Sequence, residues 1–166
     1  MGRINKSGWG DTMSVLPFPK NDTDNAGQAG YGDEFNIPAG RYSACIIDAS
    51  TKLFFFGRSP KVVLTFRILD PGPYFEMLVN GFYAVKRIKG KPRRNGTFEA
   101  GPRSRLLRDI SKLIDSRPPT DHIPENVIES AVFEIEIRRV DRANGETLSE
   151  SMQYAVVDRI VRKVEG

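Results

Sequence analysis

Five runs of strand-like periodicity, broken once by a helical stripe, restrict the fold of this chain more than any single residue does. Residues 41–49 (RYSACIIDA) are rich in β-formers, with Tyr42, Ala44 and Ile46 on one face and Cys45 and Ile47 on the other. Apolar residues on both faces predict a strand covered on both sides. In residues 61–69 (KVVLTFRIL), Val62, Leu64, Phe66 and Ile68 form an apolar face, and Lys61, Val63, Thr65 and Arg67 a mixed one. Asp70, Pro71, Gly72 and Pro73 then signal a turn. A third strand is predicted through YFEMLVNGFYAVKRI, with Gly81 as a bulge or bend. There the period changes. Leu106, Leu107, Ile110, Leu113 and Ile114 recur at helical spacing, starting after Gly101–Pro102 and stopping at Arg117, Pro118 and Pro119. The segment PENVIES offers one more helical turn before AVFEIEIRRV, where Ala131, Phe133, Ile135 and Ile137 face inward. Asn144–Gly145 predicts a hairpin loop, and SMQYAVVDRIV the last strand.

Three strands, one helix and a two-stranded hairpin form the element order of a mainly β, five-stranded OB-fold barrel, with the helix between strands three and four. Residues 37–166 are assigned to that domain, and residues 1–36 to a flexible or extended, irregular N-terminal arm. The arm holds six glycines, has no sustained periodicity and carries a net charge of −2. Its two apolar islands, Trp9 and residues 15–19 (VLPFP), either rest on the domain or bind a partner protein or a second copy of the chain.

Several function classes lose ground on composition. No apolar run approaches the ~20 residues of a membrane span, so no membrane partner is expected. The opening MGRINKSGWGDTMS lacks the apolar core of a signal peptide, and a cytoplasmic location is expected. Cys45 is the single cysteine, which excludes an intramolecular disulfide or a multi-cysteine zinc site; a buried thiol acting as a small hydrophobe is expected. His122 is the single histidine and lies in a Pro-flanked loop, which argues against a histidine triad or metal cluster. No phosphate-cradling GxxxxGK[ST] loop occurs. Glu134 and Glu136 share a strand face beside Arg138, where charge pairing explains them better than metal ligation. The expectation is a non-enzyme without cofactors.

Charge is distributed unevenly. Between Ala84 and Lys112 ten Lys or Arg residues stand against Glu99 and Asp109, a local +8 in a chain of +4, so the remainder sums to −4. Concentrated positive charge beside aromatic strands suits a polyanion with flat bases. From Ile37 onward the chain resembles OB-fold single-stranded DNA-binding proteins of phages, plasmids and other mobile elements. The residues carrying the likeness are IPAGRYSACIIDA, KVVLTFRIL ahead of DPGPYFEM, GPRSRLLRDISKLI and ESMQYAVVDRI. The resemblance implies DNA binding without catalysis, in replication or recombination of such an element. Bacterial housekeeping single-strand binders end in an acidic tail; YAVVDRIVRKVEG is more basic than acidic, so recruitment through such a tail is not expected.

In an OB-fold the ligand lies across strands two and three, between the first-to-second and fourth-to-fifth loops. That mapping selects Phe54, Phe55, Phe56, Arg58 and Lys61 at the first loop, and Arg67 with Val63 on strand two. Tyr83 and Lys86 fall on strand three; Phe82 is the outward alternative to Tyr83 if Gly81 shifts the register. Arg87, Lys89, Lys91, Arg93 and Arg94 belong to a basic loop that composition marks as flexible, and Arg139 and Arg142 border the fourth-to-fifth loop. Arg105, Arg108 and Lys112 are expected on a solvated helix face. Aromatic faces stack on any base, so weak sequence preference is expected. RNA stays open as a ligand beside single-stranded DNA, because stacking and phosphate contacts serve both. The alternative is a protein-interaction or assembly component of a phage or mobile element, acting through the arm.

Overall fold

The computed structural model describes Glu34 and residues 36–129 and 131–165. The arm's islands, Trp9 and residues 15–19, lie outside the described residues.

The architecture is mainly β. Long strands β1 (Gly40–Phe54), β2 (Ser59–Ile68) and β3 (Leu78–Ala84) are followed by a short hairpin, β4 (Arg87–Lys89) and β5 (Thr97–Glu99). Helix α1 (Arg105–Ile110), strand β6 (Val132–Val140), a second short hairpin of β7 (Arg142–Ala143) and β8 (Glu146–Thr147), and strand β9 (Tyr154–Glu165) complete it. The five long strands form one antiparallel sheet in the order β3-β2-β1-β6-β9.

Strand β1 is long because it serves two halves of the sheet. One edge pairs with β2 over most of its length, with a register shift between Ile46 and Asp48. That bulge returns Ala49 and Thr51 to the buried side. The other edge pairs with β6 only from Gly40 to Ala44. Beyond Ala44 the free backbone groups still need partners. The Glu129 N–H donates to Ile46 O at 2.7 Å, the Asn95 N–H to Ala49 O at 2.8 Å, and the Thr51 N–H to Arg93 O at 2.9 Å. The segment predicted to be a flexible basic loop is therefore a β-hairpin whose end adds to the edge of β1, and it separates strand three from the helix. Strand three is correspondingly shorter than its sequence pattern, because Tyr74 to Glu76 belong to the preceding turn.

Gly96 is the residue that lets this hairpin dock. A Cβ there would sit 2.4 Å from the Thr51 hydroxyl, which itself accepts from the Arg93 N–H at 3.0 Å. Gly96→Ala should displace the hairpin from β1 and cost about 1–3 kcal/mol, the usual penalty of overpacking. Urea unfolding measures the loss, and faster hydrogen exchange at the Thr51 and Asn95 amides would locate it.

The core lies between the inner sheet face and α1, with Leu64, Phe66, Phe98, Phe133 and Ile135 fully buried. The Phe66 and Phe133 rings meet edge to face at 6.0 Å. Strands β3 and β9 come alongside each other at the two ends of the sheet, yet no ladder joins them, so the barrel is not closed by backbone pairing.

Helix α1 covers that seam. Its N-cap is Ser104, whose Oγ accepts the Leu107 N–H, so Pro102 precedes the helix rather than opening it. Leu106, Leu107 and Ile110 are buried as predicted. The polar side is not a solvated face. Arg105 donates to Phe82 O on β3 and to Asp158 O on β9, bridging both edges. Asp109, 1% exposed, accepts from the Tyr83 hydroxyl at 2.8 Å and from the Ile160 N–H at 3.0 Å. Lys112 Nζ donates to Ile160 O at 2.7 Å and lies 3.5 Å from Asp109. Of the three basic helix residues expected in solvent, Arg108 alone is exposed. The unpaired strand edges recruited the other two.

Candidate nucleic-acid interface

The outer face of β1, β2 and β3 can be built row by row from the strand register. Lys52 stands opposite Lys61, which stands opposite Ala84. The next row is Ser50, Val63 and Phe82, and the isolated bridge between Ser50 and Arg94 extends it to the basic hairpin. Asp48, Thr65 and Asn80 form a polar row, and Cys45, Arg67 and Leu78 the last one. Directly paired residues share a face, so the docked hairpin places Arg94 in line with Phe82. Phe54 closes the β1 side of this face, its ring meeting that of Phe82 edge to face at 6.0 Å.

The β1–β2 segment brings mostly cations to this face. No acidic residue occurs between Asp48 and Asp70, while Lys52, Arg58, Lys61 and Arg67 do. Asp48 itself is ion-paired to Arg94. On β6 and β9 the charges instead cancel locally: Arg159 meets Glu136 at 2.7 Å, Arg162 meets Glu134 at 2.9 Å, and Arg138 meets Asp158 at 3.1 Å. That matches the charge-pairing reading of Glu134 and Glu136. Among the described residues no group of three or more His, Cys, Asp or Glu is placed to hold a metal.

The turn joining β1 to β2 carries the other aromatic residues. Phe55 and Phe56 have φ of 53° and 58°, in the left-handed region, and Gly57 follows at 85°. Bulky residues avoid that region at a cost of about 1–3 kcal/mol each. Both rings are exposed, Phe55 at 70% and Phe56 at 103%. The turn is nonetheless held, because the Arg58 N–H donates to Phe54 O at 3.1 Å. None of the three neighbouring phenylalanines belongs to the core.

Tyr83 does not belong to the outer face. It is completely buried, its hydroxyl bonded to Asp109 and its ring lying under the Arg105 guanidinium at 4.3 Å. Burial first, and then the Asp109 charge, push its hydroxyl well above the ordinary tyrosine range. Gly81 explains why. A Cβ there would come within 3.2 Å of both the Phe66 and Tyr83 rings, so the missing side chain provides the room that Tyr83 occupies. The strand keeps a regular alternation, with Val79, Gly81 and Tyr83 inward and Leu78, Asn80 and Phe82 outward.

Arg139 is likewise a structural cation. Its guanidinium donates to the carbonyls of Glu34, Ile37 and Gln153, tying the chain entry to the start of β9. Arg142 bonds Thr147 Oγ1 and Gly145 O within its own hairpin, whose Asn144–Gly145 turn has φ of 53° and 81° as predicted. That hairpin follows Val140, past the start of β1 and at the opposite end of that strand from the Phe55–Phe56 turn. Lys86, Lys89, Lys91 and Arg93 are exposed on the β4–β5 hairpin, and Arg87 pairs with Glu99 at 2.9 Å. The structure therefore joins Phe54, Lys61, Arg67 and Arg94 on one face and adds Phe82 and Lys52 to them. Lys52 was legible in principle, since a strand extended to Phe54 sets it opposite Lys61.

Cys45 is buried as expected, 6% exposed, with the Arg67 guanidinium donating toward its sulfur at 3.9 Å. Burial raises its thiol pKa, partly offset by that guanidinium.

No protein-family model, curated protein or solved structure matches this chain. No helix among the described residues is long and apolar enough to cross a membrane.

Proposed function

We propose that the chain is a non-catalytic single-stranded DNA-binding protein of the OB type, weakly sequence-specific, serving replication or recombination of a phage or mobile element. The observation that carries the binding reading is the shared face. Phe82 and Phe54 lie on the same surface as Lys52, Lys61 and Arg67, where Asp48 of the polar row is paired with Arg94. Rings of this kind stack on bases of any sequence while the cations follow the phosphates. The OB reading is supported by the strand order, with the two end strands side by side, and by β1 being shared between the halves of the sheet. The place in replication or recombination comes from the sequence resemblance.

The test is titration of end-labelled oligo-dT by fluorescence anisotropy at two salt concentrations, against a duplex of the same length. Binding that weakens steeply with salt and favours the single strand is expected. Undetectable binding at low salt, or equal affinity for the duplex, would remove this reading. Phe82→Ala should weaken oligo-dT binding about tenfold, toward the lower end of the ~1–3 kcal/mol of a stacked base, because Phe54 covers part of the ring.

A further inference from the structure

The Phe55–Phe56 turn has a position that the flat face does not explain. The β1–β2 ladder runs past the core before it turns: Leu53, on the inner side, is 46% exposed, and the last pair is Phe54 with Ser59. What projects is the tip of the β1–β2 hairpin, an arm ending in two exposed rings, with Arg58 in its turn and Lys52 and Lys61 at its root, where Lys61 still pairs with Ala84 of β3.

Resting on the single-strand reading above, we infer that this arm is a wedge for the junction between single- and double-stranded DNA. Its rings enter the stack at the last base pair while the sheet face holds the single strand. Three features carry the assignment. Beyond Pro60, whose carbonyl still accepts the Val85 N–H, only β1 and β2 continue to the tip, and a two-stranded ribbon is about the width that a duplex groove admits. Three successive residues at positive φ, fixed by the Arg58 N–H bond, present the rings as a formed tip. Apolar side chains inserted between base steps unstack them, provided that cations hold the flanking phosphates. The arm carries those cations and no acidic residue. Phe54, at its root, touches Phe82, so the tip is continuous with the stacking face.

The experiment uses the full chain and a forked probe: an oligo-dT tail joined to a duplex with 2-aminopurine in the first base pair. Protein is added until the anisotropy of a label on the tail saturates, and 2-aminopurine fluorescence is then read. A rise is expected with the wild-type chain. It should be lost in Phe55→Asn/Phe56→Asn, which keeps residues that tolerate the left-handed conformation. Thermal unfolding checks that this variant is folded. Tail saturation without a rise in the wild type, or a full rise in the folded double variant, would overturn the wedge and leave single-strand binding intact. Failure of the wild type to bind the tail would instead defeat the single-strand reading, and the wedge with it.

Discussion

Asp109→Ala should unfold this protein at markedly lower denaturant than any surface substitution, with a loss of about 3–5 kcal/mol. The carboxylate, carried by α1, is 1% exposed and engages the Tyr83 hydroxyl of β3, the Ile160 N–H of β9 and, just past the end of α1, Lys112. Removing it strands a buried hydroxyl and a buried amide, each worth about 1–3 kcal/mol when left without a partner. It also leaves Lys112 at the seam without its counter-charge. For a domain of this size the loss corresponds to a fall in Tm of roughly 10–20 °C. Asp109→Asn keeps one carbonyl acceptor and should cost about 1–2 kcal/mol. Equal midpoints for the two variants in urea unfolding would mean that the hydrogen bonds accepted by Asp109 do not hold the seam. The Tyr83 hydroxyl adds a pH signature. Its folded pKa is raised, so the folded state keeps a proton that the unfolded chain releases near the ordinary value. Its contribution is complete below that value and is lost as pH rises toward the folded one, so Tyr83→Phe should blunt alkaline destabilisation.

How much of this was legible in the sequence depends on whether a residue's role is set locally. The strand periodicity of residues 61–69, the Asn144–Gly145 turn and the buried stripe of Leu106, Leu107 and Ile110 were readable, because neighbouring residues fix them. The seam was not. Arg105 and Lys112 look like solvated helix residues until the sheet's unpaired edges arrive beside them, and that pairing depends on residues about 50 positions away. Tyr83 and Phe82 were exchanged for a related reason. Gly81 suggests a shifted register in one dimension, whereas its role is to leave room for the Tyr83 ring. The basic hairpin was read from composition as a flexible loop. Its order comes from backbone bonds to β1, for which the side-chain pattern carries no signal beyond Gly96.

Neutralising Lys52, Lys61 and Arg67 together, each to Gln, should move binding and stability in opposite directions. Lys52 and Lys61 stand directly opposite each other on β1 and β2, and like charges so placed destabilise a sheet. Among the described residues neither forms an ion pair that would relieve this. On the proposed reading, these two opposed cations beside Phe54 and Phe82 meet the phosphates of the bound strand. On a single strand each phosphate contact contributes about 0.7 to the logarithmic salt slope, so losing three should lower that slope by about 2. By the same relation, affinity for oligo-dT near 0.1 M salt should fall roughly 100-fold. The unbound protein should become slightly more stable, by a few tenths of a kcal/mol, as the repulsion is removed. Titration across a salt series and urea unfolding of the same preparation read the two effects separately. A variant that loses affinity only in proportion to lost stability would place these cations in the fold, whereas a stabilised variant with a flattened salt slope places them on phosphate.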